Sequence, residues 1–148
     1  MKRSLLRAMG LMTLLAVTLP ACVTMTAEPS LYDRLGGRHP IAVVVDDFVA
    51  NVVADTRINA RFKALQPADV FRLKSNLSDQ ICEAAGGSCS YIGKDMKTVH
   101  QGMKITDAEW NATVEALVKA LDKNKVPDKE KSELLGLLGP MKKDVVGQ

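Results

Sequence analysis

Residues 31–53 read LYDRLGGRHPIAVVVDDFVANVV, and this segment settles the fold class. Valine is common in strands, so propensity alone would favour β-structure here. The apolar residues instead recur at steps of three and four, which is the spacing of one face of an α-helix. We therefore predict a helix that Pro40 opens and whose buried stripe is Ile41, Val44, Val45, Phe48, Val49, Val52 and Val53.

Glycine pairs end two further predicted helices. Ser30 can cap a short helix over residues 31–35, which stops at the pair Gly36-Gly37. A long helix begins at Pro67 and stops at the pair Gly86-Gly87. Its apolar stripe consists of Val70, Leu73, Leu77, Ile81 and Ala84.

The C-terminal half is predicted to contain two more helices after a loop. Over residues 88–105 the apolar spacing weakens, which indicates a loop with one or two helical turns. Thr106 and Glu109 then form a capping-box signature at the start of a helix. Pro127 opens the last helix, and Pro140 should bend it. No segment alternates with period two, so the sequence predicts one all-α domain.

The first residues have the pattern of an export signal. A basic start is followed by an apolar run over residues 8–19, which is too short to span a bilayer readily. The run ends in Leu-Pro-Ala-Cys at residues 19–22, which resembles a bacterial lipobox in which Cys22 is lipidated. We predict a lipoprotein-type signal peptide over residues 1–21 and a tether over residues 22–29. Ordinary secretion with cleavage nearby, or an uncleaved anchor, is the alternative.

The remaining domain, residues 30–148, carries little net charge. The formal charge of +3 lies in the predicted signal peptide, whose three basic residues are Lys2, Arg3 and Arg7. A neutral domain has no electrostatic footprint for nucleic acid, and 4% aromatic residues are few for a base-stacking surface. We therefore expect no nucleic acid partner. The export signal and the lipobox-like ending separately predict a protein on the periplasmic side of the bacterial envelope, with membrane contact through lipid.

Two cysteines of the domain are placed to pair. Cys82 and Cys89 are seven residues apart with two glycines between them. In an oxidising compartment such thiols usually form a disulfide, which would stabilise the fold by about 2–3 kcal/mol. A redox or metal site is the alternative, although the spacing lacks the Cys-x-x-Cys pattern. We predict a structural disulfide.

Two histidines exist, and His100 has the more suggestive surroundings. Apolar residues flank it on both sides, namely Met96, Val99, Met103 and Ile105. A histidine that faces an apolar slot can serve as an axial ligand of haem iron, but it is also common as a satisfied core residue. The pattern alone does not decide between an iron ligand and a core residue. His39 lies between the first two helices and is expected at the surface.

From Ser30 to Val146 the chain resembles a group 1 truncated haemoglobin, the family of two-over-two helical globins. The resemblance rests on the order and spacing of several segments rather than on one motif. These segments are residues 31–37, 43–48, Phe62, 86–87, 91–96, the residues around His100, 126–127 and 138–140.

The resemblance implies a truncated two-over-two globin fold with haem b as its iron cofactor. It makes His100 the proximal iron ligand and Phe62 the aromatic residue that stacks on the haem. The positions that it assigns to the haem lining are Met96, Ile105, Trp110, Val114, Leu117, Leu134 and Leu138. Without the resemblance, these residues would be explained by core packing at helical spacing.

The distal side departs from the family pattern. Val49 stands where relatives carry a tyrosine, and Leu77 stands where many carry a glutamine, with Leu73 at the neighbouring distal position. Asn76 and Gln80 are the nearest amides, and we expect both to face solvent. A donor to a partly charged acceptor contributes roughly 1.5–3 kcal/mol, so an apolar distal wall predicts weak retention of dioxygen. Carbon monoxide and nitric oxide should be less affected.

These observations favour an exported haem globin that reversibly binds a diatomic gas such as O2, NO or CO. A haem protein for electron transfer or for redox or gas sensing is the alternative, and a haem-free structural lipoprotein is a third. No enzyme signature stands out. The family resemblance leaves nitric oxide dioxygenation open, which would require an unidentified reductase as partner.

Overall fold

The computed structural model describes residues 28–148, and these form a helical domain. The predicted signal peptide and Cys22 lie outside the described residues. The α-helices are α1 (Leu31–Arg34), α2 (Arg38–Ala54), α3 (Pro67–Ala84), α4 (Met96–His100), α5 (Asp107–Lys123) and α6 (Asp128–Leu138). Two 3₁₀ turns cover Asn59–Arg61 and Gly139–Asp144. Over the described range there is no strand, and Ile105 and Val146 form an isolated β-bridge.

The valine-rich segment is a helix, as its periodicity predicts. Helix α2 begins at Arg38 rather than at Pro40, so the predicted start was wrong by two residues. The first N–H groups of a helix have no partner within it, and a proline therefore fits in the first turn. Val53 was also placed wrongly in the buried stripe, because its side chain is 49% exposed one residue before the helix ends.

Helix α2 lies at the centre of the domain and packs against both α3 and α5. Small residues on α5 allow the close approach, since Ala112, Ala116 and Ala120 are all buried. Val45 and Val52 of α2 are each 1% exposed. Full burial of such side chains contributes roughly 1.5–3 kcal/mol each, so this contact supplies much of the stability of the fold.

Helix α3 ends at a glycine pair, as predicted. Gly86 has φ +84°, a left-handed conformation that favours glycine after a helix. Gly87 is required for space, because a Cβ there would lie 2.6 Å from Cys82 Sγ and 2.7 Å from the Tyr32 ring. The glycine pair therefore both stops the helix and lets its end pack against the start of the domain.

The C-terminal segment folds back onto the loop that follows α4. The prediction that Pro140 bends the last helix was wrong. Helix α6 ends at Leu138, before Pro140, and a 3₁₀ turn follows. Proline cannot donate the next helical hydrogen bond, which explains the stop. The Lys104 N–H donates to a backbone oxygen of Gln148 at 2.5 Å, and the Gly147 N–H donates to the Ile105 carbonyl at 2.9 Å.

Within residues 28–148, none of the helices has the length and apolar character that a membrane crossing requires.

Candidate functional site

His100 is the last residue of the short helix α4, where one hydrogen bond orients its ring. Asp95 caps this helix by accepting from the Thr98 N–H at 2.9 Å. The His100 Nδ1 lies 2.8 Å from the Met96 carbonyl oxygen, and a carbonyl can only accept. A neutral ring in this position carries its proton on Nδ1 and leaves the Nε2 lone pair available for a metal ion.

The side chain of Gln80 approaches α4 from the long helix α3. Its Nε2 lies 3.4 Å from Met96 Sδ and 3.5 Å from Met141 Sδ. The expectation that Gln80 faces solvent was therefore wrong, since the residue is half-buried, as is Asn76. Gln80 lies three residues after Leu77 and thus on the same helix face, so this spacing could have revealed that Gln80 points inward.

The three predicted distal residues lie together on the core side of α2 and α3. Val49 is 3% exposed, and Leu73 and Leu77 pack against the same core cluster as Val49. That cluster also takes in three predicted lining residues of α5 and α6, namely Leu117, Leu134 and Leu138. Because Val and Leu side chains have no hydrogen-bond donor, this wall is apolar.

The other predicted lining residues are not part of this cluster. Phe62 packs on a second cluster, which contains Val52 and Ile58, and Phe48 contacts both clusters. Four predicted lining residues are half-buried and are not members of either cluster, namely Met96, Ile105, Trp110 and Val114.

The surroundings of His100 fit a haem group by their chemistry. Val99 and Met103, on either side of His100 in the sequence, are 45% and 37% exposed. Apolar side chains that are left partly uncovered beside a free imidazole nitrogen suit a flat apolar ligand with a central metal.

Two cavities of the described residues lie away from His100. One of about 420 Å³ lies between the start of α2 and the α5–α6 loop, with Ile41, Leu121 and Leu134 among its lining residues. The other, of about 770 Å³, lies beside the end of α2 and includes Val114 in its lining. The orientation of His100, rather than cavity volume, therefore identifies the candidate site.

The predicted disulfide joins Cys82 to Cys89 with a Cα–Cα distance of 5.8 Å. It connects the last turn of α3 to the loop that leads into α4. Arg38 donates to Cys89 Sγ at 3.3 Å and pairs with Asp79 at 2.7 Å. The disulfide therefore fixes the start of the segment that carries His100.

His39 is exposed near the start of α2, as predicted. It belongs to the lining of the smaller cavity, together with Pro40 and Lys125, and this cavity does not include His100. The two histidines therefore belong to different parts of the domain.

Sequence reasoning missed Arg61, which contacts the loop after His100. Its Nη1 donates to the Met103 carbonyl at 2.6 Å, and its Nε and Nη2 donate to the Glu109 carboxylate at 2.8 and 3.0 Å. Hydrogen bonds from Arg61 lower the pKa of Glu109 to about 2. No local pattern could show this pairing, since its partners lie 42 and 48 residues away.

A small all-helical domain with glycine breaks after α1 and α3, and with a histidine at the end of the short helix α4, has the features of a small helical globin. The model of the bacterial-like globin family matches residues 30–146, and the chain belongs to that family. Truncated haemoglobins of this family bind haem and diatomic gases, and this chain is accordingly a haem-binding globin with a truncated globin fold.

Several known proteins are similar over most of the chain. The group 1 truncated hemoglobin of Mycolicibacterium paratuberculosis is 36% identical over 120 residues, which cover 80% of this chain and 86% of the relative. The crystal structure of truncated hemoglobin from Tetrahymena pyriformis is 28% identical with a TM-score of 0.75, covering 81% of this chain and 100% of that one. A Synechococcus 2/2 hemoglobin with covalently attached heme is 29% identical with a TM-score of 0.73, covering 80% and 98%.

Proposed function

We propose that this protein is an exported, lipid-anchored globin that reversibly binds a diatomic gas at a haem iron held by His100. The observation that carries the proposal is the 2.8 Å contact between His100 Nδ1 and the Met96 carbonyl. This contact fixes the ring tautomer and makes Nε2 a better ligand, as such second contacts do for metal-binding histidines. When bound, haem b supplies an iron with one open position for O2, CO or NO.

Apolar side chains would hold the haem on both of its faces. Phe62 would stack on it from the turn after α2. Met96 and Ile105, before and after His100, would cover the proximal side together with Trp110. The support for these roles is the partial burial of these side chains and their positions in the family pattern. Apolar burial would also exclude water from the ligand position, which keeps ligand exchange reversible.

The apolar distal wall would set the ligand preference. Val49, Leu73 and Leu77 offer no donor to a bound gas, and the amide of the nearby Gln80 is directed at two thioethers. Dioxygen gains most from a distal donor, because it becomes partly negative on binding, whereas carbon monoxide gains least. The wall therefore favours quick release of dioxygen.

Export and a lipid anchor are supported by two features. Residues 1–22 combine a basic start, an apolar run and a lipobox-like ending at Cys22. The domain contains the Cys82–Cys89 disulfide, and disulfides persist chiefly in oxidising compartments outside the cytoplasm.

An absorption spectrum of the purified protein tests the haem site. We expect a Soret band in the wild-type protein, its loss in His100→Ala and its retention in His39→Ala, the matched control at the other histidine. Carbon monoxide should shift the reduced spectrum, because the sixth position is open. A reduced spectrum that does not respond to carbon monoxide would favour electron transfer instead. A colourless protein that is folded in the presence of ample haem would refute the proposal.

A further inference from the structure

The turn after α4 adopts a backbone that needs outside support. Gly102 has φ +80°, and Lys104 has φ +51°, a left-handed conformation that is unfavourable for a residue with a side chain. Within the turn, the Met103 N–H donates to the His100 carbonyl at 3.0 Å. Such conformations persist when the surrounding structure holds them in place. The residues that hold this turn therefore also hold the C-terminal end of the helix that carries His100.

Arg61 is the side chain that contacts this turn from the opposite part of the chain. One guanidinium donates to the Met103 carbonyl at 2.6 Å and forms a two-point pair with Glu109. Glu109 in turn accepts from the Thr106 N–H at 2.8 Å and from the Thr106 hydroxyl at 2.9 Å. The Arg61 guanidinium thus connects the Met103 carbonyl to Glu109 in the first turn of α5.

We propose that Arg61 is a positioning residue that sets the orientation of His100 toward the haem iron. This proposal rests on the proposed role of His100 as iron ligand. Arg61 immediately precedes Phe62, so the same turn supplies the aromatic stacking residue and the group that holds the proximal loop. Arginine suits this task because its rigid fork makes several directed hydrogen bonds, whereas lysine offers a single point of charge.

The turn has a second attachment that should preserve the fold when Arg61 is changed. Lys104 and Ile105 bond to the C-terminal residues Gln148 and Gly147. Removal of Arg61 should therefore loosen the turn without unfolding the domain. The chain also offers a matched control in Arg57, which pairs with Asp55 and with Glu115 of α5, both at 2.7 Å. Both arginines attach the turn after α2 to α5, but only Arg61 contacts the loop after His100.

The test compares Arg61→Gln, Arg61→Lys and the control Arg57→Gln in the full chain. In the haem-free protein, we expect amide hydrogen exchange at Met103 and Lys104 to rise about tenfold or more in Arg61→Gln, as for loss of a bond from a charged donor. Arg61→Lys should recover part of this protection, and Arg57→Gln should leave it unchanged.

A second measurement reads the iron–histidine bond itself. In the reduced haem protein, resonance Raman spectroscopy should show a shifted or broadened iron–histidine stretching band in Arg61→Gln and the wild-type band in Arg57→Gln. If Arg61→Gln does not fold, the same comparison is made with Arg61→Lys. Equal exchange and an unshifted band in both arginine variants would overturn the role of Arg61. If the wild-type protein binds no haem while Arg61→Gln still loses protection, the role of His100 as iron ligand is refuted, although Arg61 does hold the turn.

Discussion

Val49 is the residue at which the proposed ligand preference can be tested most directly. It is buried on the core side of α2, next to Leu73 and Leu77 of α3. A larger polar residue at this position would reach the same space and bring a hydroxyl donor. If the proposed distal role is correct, replacing valine by tyrosine here changes gas release through this one donor.

A Val49→Tyr substitution should slow dioxygen release. A new donor to the partly charged ligand contributes roughly 1.5–3 kcal/mol, which corresponds to a ten- to hundredfold slower off-rate. Stopped-flow measurement against Val49→Phe provides the control, because phenylalanine fills similar space without the hydroxyl. Carbon monoxide release should change little in either variant. Equal dioxygen off-rates in the tyrosine and phenylalanine variants would contradict the apolar-wall explanation.

Helix α4 is short and depends on the segments that flank it. It has five residues, and isolated helices of this length are unstable in water, so its position depends on what lies at its two ends. The Cys82–Cys89 disulfide fixes the loop before it, while Arg61, Glu109 and the C-terminal residues hold the loop after it. His100 is thus carried by a five-residue helix whose flanking loops are both attached to the rest of the domain.

Reduction of the disulfide should lower stability without removing the haem. Opening the loop between Cys82 and Cys89 restores freedom to the unfolded chain, at a cost of about 2–3 kcal/mol in the chain-entropy model. Denaturant titration of oxidised protein and of a Cys82→Ala/Cys89→Ala variant measures the difference, and the Soret band should persist in both. A change in gas affinity on reduction would show that the disulfide regulates the site.

The Arg61–Glu109 pair should make the domain sensitive to acid. Glu109 has a folded-state pKa of about 2, below its usual value of 4.5, because Arg61 and Thr106 donate to its carboxylate. Its stabilising effect is therefore fully present above pH 4.5 and is lost as the pH falls toward 2. Thermal unfolding between pH 5 and pH 2.5 should show a shallower loss of stability in Glu109→Gln than in wild type.

Glu115→Gln is the matched control for that experiment, since it removes the partner of Arg57 on an exposed surface of the same helix. The wild-type slope should persist in this variant. If Glu109→Gln and the wild-type protein lose stability in parallel, the pair does not contribute to acid sensitivity.

On the scale of the whole molecule, a compact helical domain follows an N-terminal segment of different character. Helices α2, α3 and α5 form the frame, while α4 and its loops lie at its edge. The described chain enters the domain beside α6, where Arg34 donates to the Pro29 carbonyl at 2.8 Å and pairs with Glu130 at 3.1 Å.

Metabolic labelling tests the proposed anchor. We expect a labelled fatty acid to appear on the wild-type protein and on a Thr24→Ala control, and to be absent from Cys22→Ala. Cell fractionation should place the wild-type protein with membranes and release Cys22→Ala into the soluble periplasmic fraction. Label that persists in Cys22→Ala, or wild-type protein that stays in the cytoplasm, would argue against lipid anchoring.

Much of the fold can be predicted from local pattern. The three- and four-residue spacing of Ile41, Val44 and Val45 indicates a helix because only that geometry places them on one face. The capping box of Thr106 and Glu109 and the stop at Gly86 are also local, since each depends on residues a few positions apart. His100 itself could be singled out by its apolar neighbours and by the family resemblance.

Other features depend on groups that meet only when the chain is folded. The inward direction of Gln80 required the approach of α4, and the contact of Arg61 required a loop 42 residues away. Spacing along a helix reports which residues share a face, but the partner that a polar side chain finds depends on hydrogen-bond geometry across the fold. Helices and their ends therefore follow from the amino-acid order, whereas the orientation of the site follows from packing.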